Sequence, residues 1–592
     1  MKLNKNLTYL TGIIIFLLNA CTDRYESFPV DQYTEEYVFS RTDSLGTEAR
    51  RFMNTIYSSM RHGHNGVGND YLDAASDDAI SISAKEPDVY KLAIGRYTAN
   101  SRVGSDMGWG TYYEGIRKTN ILIANIDYVP FNLMYIDSRG EEQPLNVSMK
   151  AEARFMRAFF YFQLMQRYGG VPLIGDKILK LEDDLQIPRN TFKECVDYLV
   201  EELDDLQDDL RTWPMADAAD YAHVATKEAA MALKSRLLLY AASPLFNEKP
   251  ISFATTEQKE LVGYSSFDIE RWKVAADAAK EFIDTYGSGG SNVFRLTPAF
   301  CDTYLLYRVS TNPELIFFRQ GGNDVSVETN NGPLGFSGNA LGLGRTNPTQ
   351  NLVDAFPMKD GKPIGESTKY IYNSQDPYKD RDPRLRYTVL YNGANWLGKV
   401  LATHQGGVNN PSGLAEYSKT SYYMRKFMGR FETSTGYSNV RHLWIVFRYT
   451  EILLNYAEAL NEYEPAPSKE VYDILVLLRN RERNALIEAG TDRLYGLKAN
   501  MTREEMRKVI QNERRIEMAF EEHRYWDIRR WKIAEEVFSK PLRGMSIVNT
   551  LSAPVYTEID VLTVNFDERR YLYPIPYTEV LKNSNMVQNP KW

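Results

Sequence analysis

Thr226-Lys-Glu-Ala-Ala-Met-Ala-Leu-Lys-Ser-Arg-Leu-Leu-Leu-Tyr-Ala-Ala242 is the stretch on which the fold turns. Alanine at 229, 230, 232, 241 and 242 leaves the surface of this segment low, so a second helix backbone can approach it closely. Ser243-Pro244 stops it, because proline lacks the N–H and clashes with the preceding turn.

Working outward, the same texture recurs on both sides. Thr47–Met60, Gly110–Asp127 and Met149–Tyr168 repeat apolar residues at three and four, and Gly169-Gly-Val-Pro172 ends the third. Thr191-Phe-Lys-Glu194 is a capping box that opens a helix through Leu210. Asp268–Tyr286 carries Trp272, Ala275, Ala276, Ala279 and Phe282 on one face. After a long interruption, helix is expected over Trp444–Tyr463, Ser468–Leu486 and Thr502–Phe520, the last opened by a second box, Thr502-Arg-Glu-Glu505. Helices met mostly in consecutive pairs, with a packing face such as Tyr456-Ala-Glu-Ala-Leu460, predict an all-α, tetratricopeptide-like scaffold. The 34-residue period of such repeats is not clean here.

Between these helices, residues 287–442 are rich in Gly, Asn and Pro and hold no apolar period. Short strand-like runs, Glu314–Phe318 and Arg386–Leu390, predict an irregular insertion with short strands. The chain thus divides into 1–20, 21–42, a helical scaffold 43–286 with a long loop 61–109, the insertion 287–442, and C-terminal helices with an extended tail, 443–592.

The first two pieces are addresses. Lys2 and Lys5 precede an apolar run, Leu7–Leu18, and Leu18-Asn19-Ala20-Cys21 follows. This is a secretory signal, too short to span a bilayer, which needs about 20 apolar residues. The cysteine after Ala20 makes it look like a bacterial lipobox. That pattern predicts a mature chain starting at Cys21, acylated there and tethered by the polar segment that follows.

Net charge is −8, which argues against a non-specific nucleic-acid binder, since that task needs a basic surface. Apart from Cys21 the cysteines are Cys195 and Cys301; they read as two buried thiols, with a single disulfide between them left open. No spacing suggests zinc, and no cofactor is implied. Catalytic signatures are missing: no Gly-x-Ser-x-Gly elbow, no phosphate loop and no His-Glu-x-x-His. His62-Gly-His64 reads as a polar loop rather than a metal site. The pairs Asp77-Asp78 and Asp204-Asp205 read as solvated acidic surface rather than a glycosidase's acid and base. The charges of Glu513–Glu522, with Asp527 and Arg529-Arg530, are expected to pair with one another and with a neighbouring helix.

Four stretches carry a family resemblance: Ala151-Glu-Ala-Arg-Phe-Met-Arg-Ala-Phe-Phe-Tyr161 through Tyr168-Gly-Gly-Val-Pro-Leu173; Ala229 through Asn247; Asn512-Glu-Arg-Arg-Ile-Glu-Met-Ala-Phe-Glu-Glu-His-Arg524 through Trp531; and Tyr573-Pro-Ile-Pro576 with Gln588-Asn-Pro590. Pro348–Phe356 and Asp382-Pro-Arg-Leu385 fit the same pattern inside the insertion, and Lys591 stands where the family usually has glycine. Together, in this order and behind a lipobox, they resemble the SusD/RagB family of Bacteroidetes outer-membrane lipoproteins. The resemblance implies four tetratricopeptide-like helix pairs and a surface-exposed protein seated over a SusC-like TonB-dependent transporter. It further implies a non-catalytic role, capture of a nutrient, most often an oligosaccharide and in some members a peptide. An all-α glycosidase and an adaptor that recognises only proteins are the rival classes.

A sugar offers an apolar C–H face and a rim of hydroxyls, so its site needs aromatic platforms beside Asn, Asp, Arg or Gln. Two irregular stretches have that mix. Asp70–Trp109 supplies Tyr90, Arg96, Tyr97 and Trp109; Gly321–Asn347 supplies Phe336, Asn339 and Arg345, with Trp396 from a later loop. These residues are the expected ligand contacts.

Overall fold

Thr226 accepts the Ala229 N–H with its side chain and starts a helix at Lys227, and Ser243 closes it in extended conformation before Pro244. In the computed structural model, which describes residues 34–82, 86–215, 224–248, 251–411, 417–481 and 487–592, this helix is one of ten that build the body of the protein. In chain order they are α1 Thr47–Ser58, α2 Trp109–Asn125, α3 Leu145–Tyr168, α4 Phe192–Asp205, α5 Lys227–Ala242, α6 Glu270–Tyr286, α7 Tyr449–Tyr463, α8 Lys469–Arg479, α9 Arg503–Glu517 and α10 His523–Arg530. Both capping boxes form as read: Thr191 with Glu194 opens α4, and Thr502 with Glu505 opens α9.

Each helix from α2 to α6 packs on the next, α6 packs on α7, and α7 receives α8 and α9. The alanines of α5 are all buried, and Asn455 of α7 donates to Ser235 of α5 across the contact at 3.2 Å. A helix apolar or small on every side belongs between two neighbours rather than on a surface. The architecture is therefore the helical-pair scaffold, and the strands among the described residues form two-stranded pairs only.

Trp444–Arg448, expected as the beginning of a helix, is strand. The run Leu443-Trp-Ile-Val-Phe447 is aromatic and β-branched, which suits a pleated, buried ribbon. Strand β1, Leu315–Asp324, pairs antiparallel with β2, Val440–Arg448, in the register Asp324↔Val440 to Leu315↔Arg448. The insertion leaves and returns through this ribbon, which packs on α3 through Phe155 and Phe317, ring centroids 5.1 Å apart.

Other corrections follow the same logic of burial. The stretch 61–109 is not an open loop: every residue from Asp70 to Ile82 is buried, Ala79–Ser81 pairs with Thr346–Pro348, and Asp88–Ile94 is helical. Packing begins inside the segment read as a tether, where Phe39 sits edge-on to Phe52 at 5.6 Å. The expected tail contains a hairpin, β3 Leu542–Asn549 with β4 Pro554–Leu562. Residues 1–33, including Cys21, lie outside the described residues. Cys195 and Cys301 are both free and buried.

The core is charged as well as apolar. Glu513 accepts from Arg384 at 2.6 Å and from Arg479 at 2.9 Å, with all three side chains shielded from solvent. Glu314 takes Arg481 at 2.7 Å and Arg448 at 3.0 Å; Glu517 takes Arg448, Arg481 and Arg384. Burial alone would raise the Glu513 carboxyl; the Arg384 and Arg479 guanidiniums override it and hold it at about 2. Asp77-Asp78 belongs to this interior too. Arg524 and Arg515 pair with Asp77 at 2.7 and 2.8 Å, and Arg515 reaches Asp78 at 2.6 Å, so the pair is not solvated surface. Asp204 is surface, paired with Lys234.

Candidate functional site

Where β1 and β2 emerge from the helical body, their ends and the loop after α1 surround a cleft of about 250 Å³. Its walls are His62 and His64, the Gly321-Gly322 backbone, Asp324, Ser326 and His442. Gly63 and Gly321 are required by close approach. A Cβ on Gly63 would stand 2.1 Å from the Trp444 indole, and one on Gly321 would stand 2.0 Å from the His442 carbonyl oxygen. The loop after α1 can therefore lie flat against the ribbon and bring His62 beside Gly321.

His62 and His64 are held neutral, for identifiable reasons. His64 is buried among Tyr71, Phe427 and Trp444. Its Nε2 lies 2.9 Å from the Leu443 carbonyl oxygen, which can only accept, so Nε2 carries the proton and Nδ1 accepts from the Tyr71 hydroxyl at 2.7 Å. Burial, with His62 and His442 nearby, holds its pKa far below the usual value. His62 is lowered to about 4 by burial, Arg319 and His442. His442 meets Glu328 at 3.1 Å. Burial would raise the Asp324 carboxyl, but hydrogen bonds from the Ser326 side chain and N–H, the latter at 2.8 Å, with His442 and His62 nearby, hold it below its ordinary value.

A shell of amides supports the cleft. Asn331 donates to Asn65 at 2.8 Å, Asn330 donates to the Ser326 carbonyl at 2.8 Å, and Arg345 Nε donates to Asn330 at 3.0 Å. A neutral imidazole, a carboxylate and amides together present both donors and acceptors, which is what vicinal hydroxyls require. On the outer side, Tyr307 is 36% exposed and lies 5.5 Å from the Arg441 guanidinium, itself opposite Asn323 in the ribbon. Among the described residues no group of three or more His, Cys, Asp or Glu is placed to hold a metal.

The expected contact residues fall in separate places. Arg345 reaches the cleft through Asn330. Phe336 is half-buried with the Lys399 ammonium 5.8 Å from its ring, and Asn339 is exposed, its carbonyl accepting the Tyr437 N–H at 2.8 Å. Trp396 lies beneath them, fully buried, its indole N–H given to the Tyr437 hydroxyl at 3.1 Å and Arg425 stacked at 4.9 Å. It has no face left for a ligand. Tyr90, Arg96 and Tyr97 lie elsewhere: Arg96 is exposed and ion-paired with Glu86, while Tyr97 is buried in a stack with Trp592 at 5.3 Å. Tyr90 is half-buried on the helix Asp88–Ile94. Trp109 is wedged between Tyr113 and Tyr168, both at 5.0 Å, and is a core residue. Sequence reasoning met His62 and His64 as a motif but weighed them only for metal binding. Asp324 and Ser326 carry no local signal; the pairing of β1 with β2 brings them beside His442.

Comparison with known proteins places this architecture. Residues 313–592 match the family model described as SusD family, and residues 47–239 match one described as starch-binding associating with outer membrane. SusD-like protein P38 of Formosa agariphila is 21% identical over 595 residues, covering 99% of this chain and 98% of that protein. The crystal structure of a SusD-like protein from Bacteroides fragilis is 25% identical, with a TM-score of 0.72 over 93% of this chain and 98% of that one. A SusD-like carbohydrate binding protein from the same species is 24% identical, with a TM-score of 0.68 over 92% and 99%. No described helix is long and apolar enough to cross a membrane. With both halves of the scaffold matched and the motifs in their order, the chain belongs to the SusD/RagB family.

Proposed function

We propose that this protein is a lipid-anchored, surface-exposed binding protein that captures an oligosaccharide and delivers it to a SusC-like TonB-dependent transporter without cleaving it. The observation that carries the binding half is the cleft lined by His62, Asp324, Ser326 and His442, backed by the Asn331–Asn65 and Arg345–Asn330 contacts, with partly exposed Tyr307 against Arg441, the residue before His442. Phe336 and Asn339 extend the surface along the insertion. Family membership, and a relative whose name records carbohydrate binding, support the same ligand class. The delivery half rests on the family, whose model is described as associating with outer membrane, and on Leu18-Asn19-Ala20-Cys21, which supports the lipid anchor.

Isothermal titration against a panel of oligosaccharides tests the reading. Binding to one glycan class, weakened at least about tenfold (about 1.4 kcal/mol) by Asp324→Asn or Tyr307→Ala with thermal stability retained, is the expected result. Binding of peptides and of no glycan would move the protein to the peptide-handling branch of the family. New reducing ends on incubation, lost in a single carboxylate variant, would make it a glycosidase.

A further inference from the structure

The motif Asp527-Ile-Arg-Arg-Trp531 sets two arginines side by side with opposite electrostatic fates. Arg530 is paired twice over, with Asp527 at 2.8 Å and Glu458 at 2.8 Å. Arg529 is equally buried, 2% exposed, and has no carboxylate within ion-pair distance among the described residues. Its Nη1 donates to the Tyr525 carbonyl at 2.8 Å, and its guanidinium lies flat on the Tyr525 ring at 3.5 Å. Its Nε and Nη2 are buried and have no acceptor among the described residues.

The surroundings repeat the deficit. Tyr97 is buried with an unsatisfied hydroxyl. Its ring stands 5.8 Å from that of Tyr573, whose hydroxyl is 2.8 Å from that of Tyr525, the ring on which Arg529 stacks. Phe566 faces Arg529 at 5.3 Å and a second acid-free arginine, Arg570, at 4.7 Å. Arg570 is 3% exposed; three carbonyl oxygens take its terminal nitrogens, while its Nε has no acceptor among the described residues. Among the described residues neither arginine of this aromatic box is ion-paired, both and Tyr97 keep an unsatisfied donor, and Asp106, which accepts from the Tyr573 hydroxyl at 2.5 Å, is itself paired with Arg167 at 3.1 Å.

Removing a charge from water costs several kcal/mol unless a counter-charge accompanies it, and native structures satisfy nearly all buried donors. We propose that this box is an anion site, occupied by a monovalent ion of chloride size held by Nε and Nη2 of Arg529 with the Tyr97 hydroxyl as its neighbouring donor. The ion would lock together three segments far apart in sequence: the Tyr97 loop, α10, and the tail through Phe566 and Arg570. It stands apart from the cleft and does not depend on the glycan reading.

Crystals of the full mature chain soaked in bromide give the direct test. The expected result is an anomalous peak within hydrogen-bonding distance of Arg529 Nε and Nη2. In solution, replacing gluconate by chloride at constant ionic strength should raise Tm by about 1–3 °C, by mass action on the folded state. Arg529→Met should abolish that rise and Tyr97→Phe should reduce it; if the arginine variant does not fold, Tyr97→Phe carries the solution test alone. No bromide peak at the box, with Tm indifferent to chloride, would mean that water satisfies these donors, and the proposal falls.

Discussion

Arg384 Nη1 stands 2.6 Å from Glu513 Oε1, joining the insertion to α9 across a contact that neither side chain shares with solvent. Breaking a buried pair by removing one partner strands the other. Arg384→Met should therefore destabilise the protein by about 3–5 kcal/mol, read as a lower midpoint in urea unfolding. An unchanged midpoint would show that Arg479 alone suffices for Glu513.

The same pair sets an acid limit. The folded Glu513 carboxyl lies at about 2, below the ordinary 4.5, so its stabilisation is complete above pH 4.5 and is lost as pH falls toward 2. His62, lowered to about 4 from 6.5, resists protonation in the fold, so its share is full above pH 6.5 and lost as pH falls through 4. Melting temperature measured against pH should fall in two stages, and His62→Asn should flatten the upper one.

Asp70 behaves in the opposite sense. Burial raises its carboxyl to about 7 despite hydrogen bonds from Ser81 at 3.1 Å and Thr346 at 3.2 Å. Its contribution is complete below pH 3.8 and lost as pH rises through 7. Asp70→Asn should gain stability relative to wild type at pH 8 and show no gain at pH 4. Equal differences at both pH values would show that Asp70 is ionised throughout.

Trp396→Ala and Phe336→Ala separate core from surface. Truncating the buried indole should cost about 3–5 kcal/mol and lower Tm. Phe336→Ala should leave Tm within a degree or so and weaken the bound ligand. Loss of affinity without loss of stability in the tryptophan variant would contradict its burial.

Cys21→Ala should release the protein from the membrane fraction and leave ligand affinity in solution unchanged. Fractionation followed by titration of the released protein checks both halves. A variant that stays membrane-bound would remove the lipid from the proposal.

The helices were legible because each carries its own periodicity and, in α4 and α9, its own capping box; a local rule decides a local structure. The family motifs placed them in order. What sequence reasoning missed is long-range. Trp444–Arg448 reads apolar whether strand or helix, and only its partner Leu315–Asp324 makes it a strand. Asp77-Asp78 looks like surface until Arg515 and Arg524 arrive from the far end of the chain. Trp396 and Tyr97 have the residue type of a sugar platform, but exposure depends on neighbours that no local pattern names. The candidate cleft is the extreme case, since its walls come from three distant segments.

The ribbon of β1 and β2 has one more implication. Because the insertion departs and returns at adjoining points, residues 325–439 form a closed excursion whose length the helical array does not sense. Loop-closure cost grows only slowly with length, so such a segment can be lengthened, shortened or exchanged with little penalty to the body that carries it. The contacts it must keep include the strand pairing of Thr346–Pro348 with Ala79–Ser81 and the ion pairs Arg384 to Glu513 and Lys426 to Glu521, both at 2.6 Å. Diversification of what the family recognises would then be expected to concentrate in this cassette, with the scaffold inherited unchanged around it.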